Sequence, residues 1–295
     1  MYRYAVIDSA QRPHFHERLE QLGVRYCSLF DGQAEESLKE IAPLLVEYGS
    51  PDANPRVPKE IEKLGALKPA VSVLVSDLGL HELARHFRDF HLVKVPEQGG
   101  REMLLRWYDT RILPVWSDLL TALQQAAFFK GIRQWRYFDR FGDMQELALT
   151  EPPPDALPAL PPLRLDPDQY ARLLDACEPD VAIAQLRRVI PDEMRRVPAH
   201  TLYPFVSAHL DDSRAHGVQK LDDHVQYLLL ALYTSGGFGR HPAVAERLAR
   251  PCDQWPQPFS EWVTALPEDV WESGSPLWES LPGPASVQRV TELPA

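Results

Sequence analysis

The chain of 295 residues is 44% hydrophobic and 25% charged, with 28 prolines and a formal net charge of -11. Its mean hydropathy is -0.30. Those values exclude a disordered chain, a fibrous repeat and a multi-span membrane protein, and the acidic balance argues against a phosphate-backbone binder. Cys27, Cys177 and Cys252 lie far apart with no CxxC pair, so neither a disulfide framework nor a thiolate zinc site is expected, and a reducing compartment fits. Asp8 interrupts the first apolar run before it reaches signal-peptide length. The expectation is a soluble, cytoplasmic protein.

In chain order, Tyr4–Ile7 reads as a strand, Pro13–Leu22 as a helix ended by Gly23, and Tyr26–Phe30 as a second strand. Ala42–Tyr48 is an apolar run of either type, followed by a helix over Pro58–Leu67. Val71–Val75 is β-branched and strand-like, and Gly79–Asp89 is helical. Leu92–Val95 and Met103–Tyr108 flank Gly99-Gly100 as a hairpin. A long helix over Ile112–Phe129 precedes two strands, Ile132–Phe138 and Gln145–Leu149. Strands alternating with helices, then hairpins, predict an α/β lobe with a mixed sheet over residues 1–150.

Residues 151–167 hold seven prolines and read as a stiff, extended linker. The stretch 168–250 is helical. Asp166-Pro167 opens a helix to about Cys177, Asp180 caps Val181–Ile190, and Pro198–Leu210, Lys220–Thr234 and Pro242–Arg250 follow. This predicts a small all-α lobe. Residues 251–295 form a Pro/Trp-rich acidic tail, with Trp255 and Trp262 seven apart, as are Trp271 and Trp278. Either the tail drapes over the body and buries its indoles, or it docks on a partner. The cost of exposed indoles favours draping.

Catalytic patterns are mostly missing. His81 and His86 are five apart, which turns a helix by roughly 500° and leaves the rings unable to grip one ion. His209, His216 and His224 with Asp211, Asp212, Asp222 and Asp223 are the densest set of potential metal ligands, yet acids opening a helix are equally explained by its dipole. No GxSxG elbow is present, and Gly236–Arg240 lacks a P-loop lysine. The basic-aromatic run KGIRQWRYFDRF (130–141) splits its residues between two strand faces, so it predicts no nucleic-acid stripe. Asp8, Asp77 and Asp109 sit at predicted strand ends, where an α/β enzyme draws acids, with or without a divalent metal. That enzymatic reading is the alternative to the one below.

Several stretches occur together in a specific order: YAVIDSA (4–10), YCSLFDG (26–32), APLLVEY (42–48), VLVSDLGLHELARHFRDF (73–90), REMLLRWYDTRILPVW (101–116) and FFKGIRQWRYFDRFGD (128–143). This set resembles the type VI secretion effector chaperone or adaptor family (Tap/Tec type), whose N-terminal domain was long catalogued as one of unknown function. FVSAHLDDSRAHGV (205–218) and HPAV (241–244) match the family's layout more loosely. LLRWYDTRIL (104–113) carries the family's central pattern, with Thr110 where proline is usual. The resemblance implies a cytoplasmic, non-enzymatic protein without catalytic residues, metal or cofactor. It implies binding of a cognate secreted effector (a toxin) and loading onto the VgrG spike or its PAAR cap, with no nucleic-acid or membrane partner. Arg106, Trp107, Tyr108, Asp109 and Arg111, with Asp8 and Asp77, would be its partner-binding or structural motif.

Overall fold

The structure, a computed structural model, describes residues 1–49, 54–96, 100–149 and 159–280. The chain divides into two compact units, residues 1–177 and 178–295.

The first unit opens with β1 (Tyr2–Ile7), a 3-10 turn (Ser9–Gln11), α1 (Phe15–Gln21), β2 (Tyr26–Ser28), β3 (Leu44–Glu47), α2 (Arg56–Leu67), β4 (Val71–Ser76) and α3 (Leu80–Asp89). It continues with β5 (Leu92–Lys94), β6 (Glu102–Leu104), α4 (Leu113–Leu119), α5 (Ala122–Phe128), β7 (Ile132–Phe138), β8 (Met144–Glu146) and β9 (Leu163–Arg164). Six strands form one sheet in the order β2-β3-β1-β4-β7-β8, antiparallel at each pairing. A second sheet, β6-β5-β9, adds one antiparallel and one parallel pairing.

The N-terminal strand is thus central, and both of its faces are buried. Side chains alternate across a strand. Tyr4 and Val6 therefore join Leu45, Leu74 and Trp135 against Leu83, Phe87, Trp116 and Phe128. Ala5 and Ile7 join Leu44, Val46, Val73 and Phe138 against Phe15, Leu19, Ile61 and Leu64. Helices α3, α4 and α5 cover one face, α1 and α2 the other. That double cover explains why β1 reads as an unbroken apolar run instead of an alternating one. It also settles the basic-aromatic segment: Trp135 and Phe138 enter opposite cores, and Arg133 is paired with Asp77.

Three helical expectations are corrected. Ile112–Phe129 is two helices, because Leu120 is extended (ψ 137°) and Thr121 starts afresh with a capping box to Gln124. The expected break before Asp180 is absent: α6 (Pro167–Val189) is continuous through Pro179. Burial of Ala182, Ile183 and Leu186 on its second half outweighs the proline's local cost. A helix not foreseen, α7 (Pro191–Arg196), starts on Pro191. Of the proline-rich stretch, residues 151–158 lie outside the described residues. Its far end is built into the first unit: β9 pairs with β5, and Leu163 and Leu165 are each 1% exposed.

The second unit is helical throughout its described residues. It comprises the end of α6, then α7, α8 (Ala199–Ala215), α9 (Leu221–Thr234), α10 (Pro242–Leu248), α11 (Phe259–Trp262), α12 (Glu268–Trp271) and α13 (Leu277–Ser280). From Tyr227 to Leu232 helix α9 is apolar on all sides because it is packed on all sides there. Val225, Leu228 and Leu232 face one cluster, Tyr227, Leu230 and Ala231 another. Residues 251–280 of the tail fold onto it. Phe259 is fully buried, Trp278 packs on Tyr233 at 4.9 Å, and a Cβ on Gly274 would lie 2.0 Å from the Thr234 carbonyl oxygen. Trp271 is the most exposed of the four indoles, at 36%. The last stretch, 281–295, lies outside the described residues.

One contact sets the distance between α2 and the sheet. A Cβ on Gly65 would fall 2.1 Å from Phe138 Cδ2 on β7. In an open helix, glycine to alanine stabilises by about 1 kcal/mol. Here Gly65→Ala is expected to destabilise by roughly 1–3 kcal/mol through overpacking, read as a lower urea midpoint at unchanged slope. A higher midpoint would show that α2 is not seated as described.

Candidate functional site

β1 runs out at Ile7, and Asp8 turns the chain into the 3-10 turn with its Oδ1 accepting from the Ala10 N–H at 3.2 Å. Its carboxylate is fully buried and meets Arg106 Nη2 at 2.7 Å. Asp109, only 3% exposed, opens the turn before α4 and is gripped by Arg111, whose Nε donates to Oδ1 at 2.9 Å and Nη2 to Oδ2 at 2.7 Å. This two-point grip is the strong form of an arginine–carboxylate pair. Arg106 also lies 3.6 Å from Asp109, so one guanidinium bridges both acids.

Gln11 closes the knot. Its Nε2 donates to the Pro69 carbonyl at 2.8 Å and to Asp8 Oδ2 at 3.3 Å, and lies 3.5 Å from Asp109 Oδ1. The Thr110 N–H donates to the same Pro69 carbonyl at 3.3 Å, a bond that proline at this position could not make. The 3-10 turn, the α2–β4 connection and the entry to α4 are therefore tied at one end of the sheet.

The electrostatics follow from burial. Burial pushes the Asp8 carboxyl above its ordinary range, Arg106 pulls it down and Asp109 adds to the rise. Burial alone would lower the Arg106 guanidinium, but Asp8 and Asp109 hold it above its usual value. Tyr108 is raised by burial and by Asp8. The two carboxylates are sealed, while Arg106 and Arg111 keep 40% and 27% of their side chains exposed. What this knot presents to solvent is cationic.

The other expected members separate from it. Trp107 is core, 1% exposed, ringed by Phe87 at 4.7 Å, Phe128 at 5.4 Å and Trp135 at 5.9 Å. Asp77 follows β4, which runs antiparallel to β1 with Tyr2 opposite Ser76 and Ile7 opposite Val71. It therefore lies at the opposite end of the sheet from Asp8, paired with Arg133 at 2.6 Å. Strand ends carry Asp8 and Asp77 as expected, but the antiparallel order prevents them from sharing a site. Gln11 was missed, since nothing local distinguishes it from any loop glutamine.

In the second unit the histidine-aspartate set is dispersed. His209 meets Phe205 edge-on at 4.3 Å, Asp212 accepts from the Tyr227 hydroxyl, and Asp223 accepts from the Ser260 N–H at 2.7 Å. Asp223 thus secures α11 in the tail. Among the described residues no group of three or more His, Cys, Asp or Glu is placed to hold a metal ion. His224 Nδ1 is 2.7 Å from Ser213 Oγ, and its Nε2 is 3.5 Å from Glu178, an order suggestive of a catalytic triad. The Ser213 hydroxyl also lies 2.8 Å from the Leu210 carbonyl, one turn back on its own helix. Ser213 is also fully buried.

Residues 3–127 match the family described as "Domain of unknown function (DUF4123)". That family is known as the effector adaptor or chaperone domain of type VI secretion. The matched segment contains the whole knot. No curated protein and no solved structure matches the chain. No helix among the described residues is long and apolar enough to cross a membrane.

Two outcomes follow. Arg106→Ala leaves buried Asp8 without its cation and is expected to cost about 2–3 kcal/mol at pH 7, less than for a sealed pair because Arg106 is partly solvated. Asp8→Asn in the same chain should recover part of that loss in a double-mutant cycle, and purely additive losses would contradict the pairing. The pH response has a defined sign. Burial pushes His209 and His224 below their ordinary value of 6.5, so the unfolded chain binds these protons first. Stability is full above about pH 6.5 and declines as the pH falls toward the lowered values. Asp8 acts oppositely: its raised carboxyl favours the folded state as the pH drops toward 3.8. Melting temperatures should fall between pH 7.5 and 5.5, and His224→Gln should flatten that decline.

Proposed function

We propose that this protein is a cytoplasmic adaptor-chaperone of type VI secretion. It holds one cognate effector in the producing cell and helps load it onto the VgrG spike or its PAAR cap. The observation that carries this reading is the match over residues 3–127, together with a central motif whose acids are buried and whose arginines reach the surface. Such a motif is built to fix a recognition surface. It offers no nucleophile, and its acids are engaged by arginines. The second unit's acidic composition complements a basic segment of the cargo and would speed its capture.

The test is affinity capture of the tagged full-length protein from its native cell, with a wash at about 0.5 M salt, where screening acts within roughly 4 Å. The expected result is one large toxin-like protein, identified by mass spectrometry, with or without a spike or cap component. Cells shown to express the secretion system but yielding bare bait would overturn the adaptor reading.

A further inference from the structure

The groove between the segment leading into α1 and helix α2 has a volume of about 610 Å³. Its floor is apolar: Phe15 and Leu64 are 6% and 8% exposed, and Leu67, the last residue of α2, is 70% exposed. A single exposed leucine means little on a convex surface. This one lines a concavity rimmed by Arg12, Lys63 and Lys68.

The charge balance of the groove is lopsided. Glu60 is paired with Arg18 at 2.7 Å, while Glu17 lies 3.2 Å from His14, a contact that neutralises it only when the imidazole is protonated. Arg18 holds the Glu60 carboxyl below its usual range, and Lys63 and Arg12 add to that pull. Arg12, Lys63 and Lys68 have no ion-pair partner among the described residues. A chain of net charge -11 thus sets four cations, Arg12, Arg18, Lys63 and Lys68, against the two carboxylates of Glu17 and Glu60 around this groove. The patch adjoins the buried knot. Gln11, next to Arg12, donates to the carbonyl of Pro69, next to Lys68. The partly exposed guanidiniums of Arg106 and Arg111 belong to that same knot.

We infer that this groove receives an acidic, leucine- or phenylalanine-bearing segment of the partner protein, with Leu67 taking the apolar contact and Arg12, Lys63 and Lys68 taking the carboxylates. The inference deepens the adaptor reading and rests on it. Charge complementarity selects the occupant. A basic segment would meet like charges, and a second copy of this chain related by a two-fold axis through the groove would present the same cationic rim. Nucleic acid would engage the cations while leaving Leu67 unused.

The experiment uses the full chain in two forms, captured from native cells at about 0.15 M salt so that rim charges remain felt. In the first, R12E/K63E/K68E is compared with the unaltered protein and with R85E/K130E, a reversal of two exposed cations elsewhere in the unit. All three target residues are exposed; reversing Arg12 and Lys63 removes their attraction for Glu60, so a small fall in melting temperature is expected, and a fully folded variant at the capture temperature is checked first. Partner recovery should fall at least about tenfold for the groove variant, as three weakly screened rim pairs predict, and stay within about twofold for the control. In the second, Leu67→p-benzoylphenylalanine is irradiated in the complex and the attached peptide is sequenced. An Asp/Glu-rich peptide of the captured partner, carrying Leu or Phe, is expected. Equal recovery by groove variant and unaltered protein, with the partner present, overturns the groove while the adaptor reading stands. A crosslink to nucleic acid, to a basic peptide or to a second copy also overturns it. Bare bait in every arm removes the adaptor reading, and the groove assignment falls with it.

Discussion

Two carboxylates buried at one end of a sheet are the constraint on which the first unit depends. Asp8 and Asp109 are almost wholly removed from water, a position that an ionised acid tolerates only with a cation and hydrogen bonds in place. Arg106 and Arg111 supply the charge, and Gln11 and backbone N–H groups supply the remaining donors. Satisfying these acids fixes three chain segments that are far apart in sequence: the exit of β1, the Pro69 connection and the turn into α4. The central strand is thereby locked at its exit, and the helices on either face are referred to one common point.

That geometry also sorts the basic side chains into two kinds. Arg106 and Arg111 hold positions set by buried partners, whereas Arg12, Lys63 and Lys68 are exposed and make no ion pair among the described residues. A surface combining the two has both rigidity and residual attraction, the combination in which little ordering cost offsets a binding contact. The Ser213–His224–Glu178 array shows the contrasting case. Residue types that suggest reaction chemistry there serve instead to satisfy one another inside helical packing.

Much of the fold was legible because its signals are local. The β-branched run at 71–75, the amphipathic pattern before Asp89 and the glycine stops each state their own element. The helix break at Thr121 was legible too, since Thr121 and Gln124 form a capping box, but the apolar pattern running on to Phe129 concealed it. Continuity of α6 through Pro179 was not legible, because it depends on burial of Ile183 and Leu186. The site was half legible. Arg106, Asp109 and Asp8 could be read as a set, yet Asp77 was grouped with them because strand direction is a property of the sheet. Gln11 and the α1–α2 groove depend on Pro69, Leu64 and Leu67 meeting residues about fifty positions earlier, a juxtaposition no local pattern records.

The central placement of β1 has a consequence in time. Its neighbour β3 arrives by residue 47 and β4 by residue 76, but β4 gains its outer partner only with β7 at residues 132–138. The core that Trp135 enters is completed by Leu163, Leu165 and Leu173. At about 5–20 residues per second of synthesis, the first strand waits roughly 10–35 s before the last of these residues is made. For roughly 3–12 s of that interval, between residues 76 and 138, β4 presents an unpaired, apolar edge on the ribosome. A protein that would shepherd another chain begins its own existence with an open edge to be guarded.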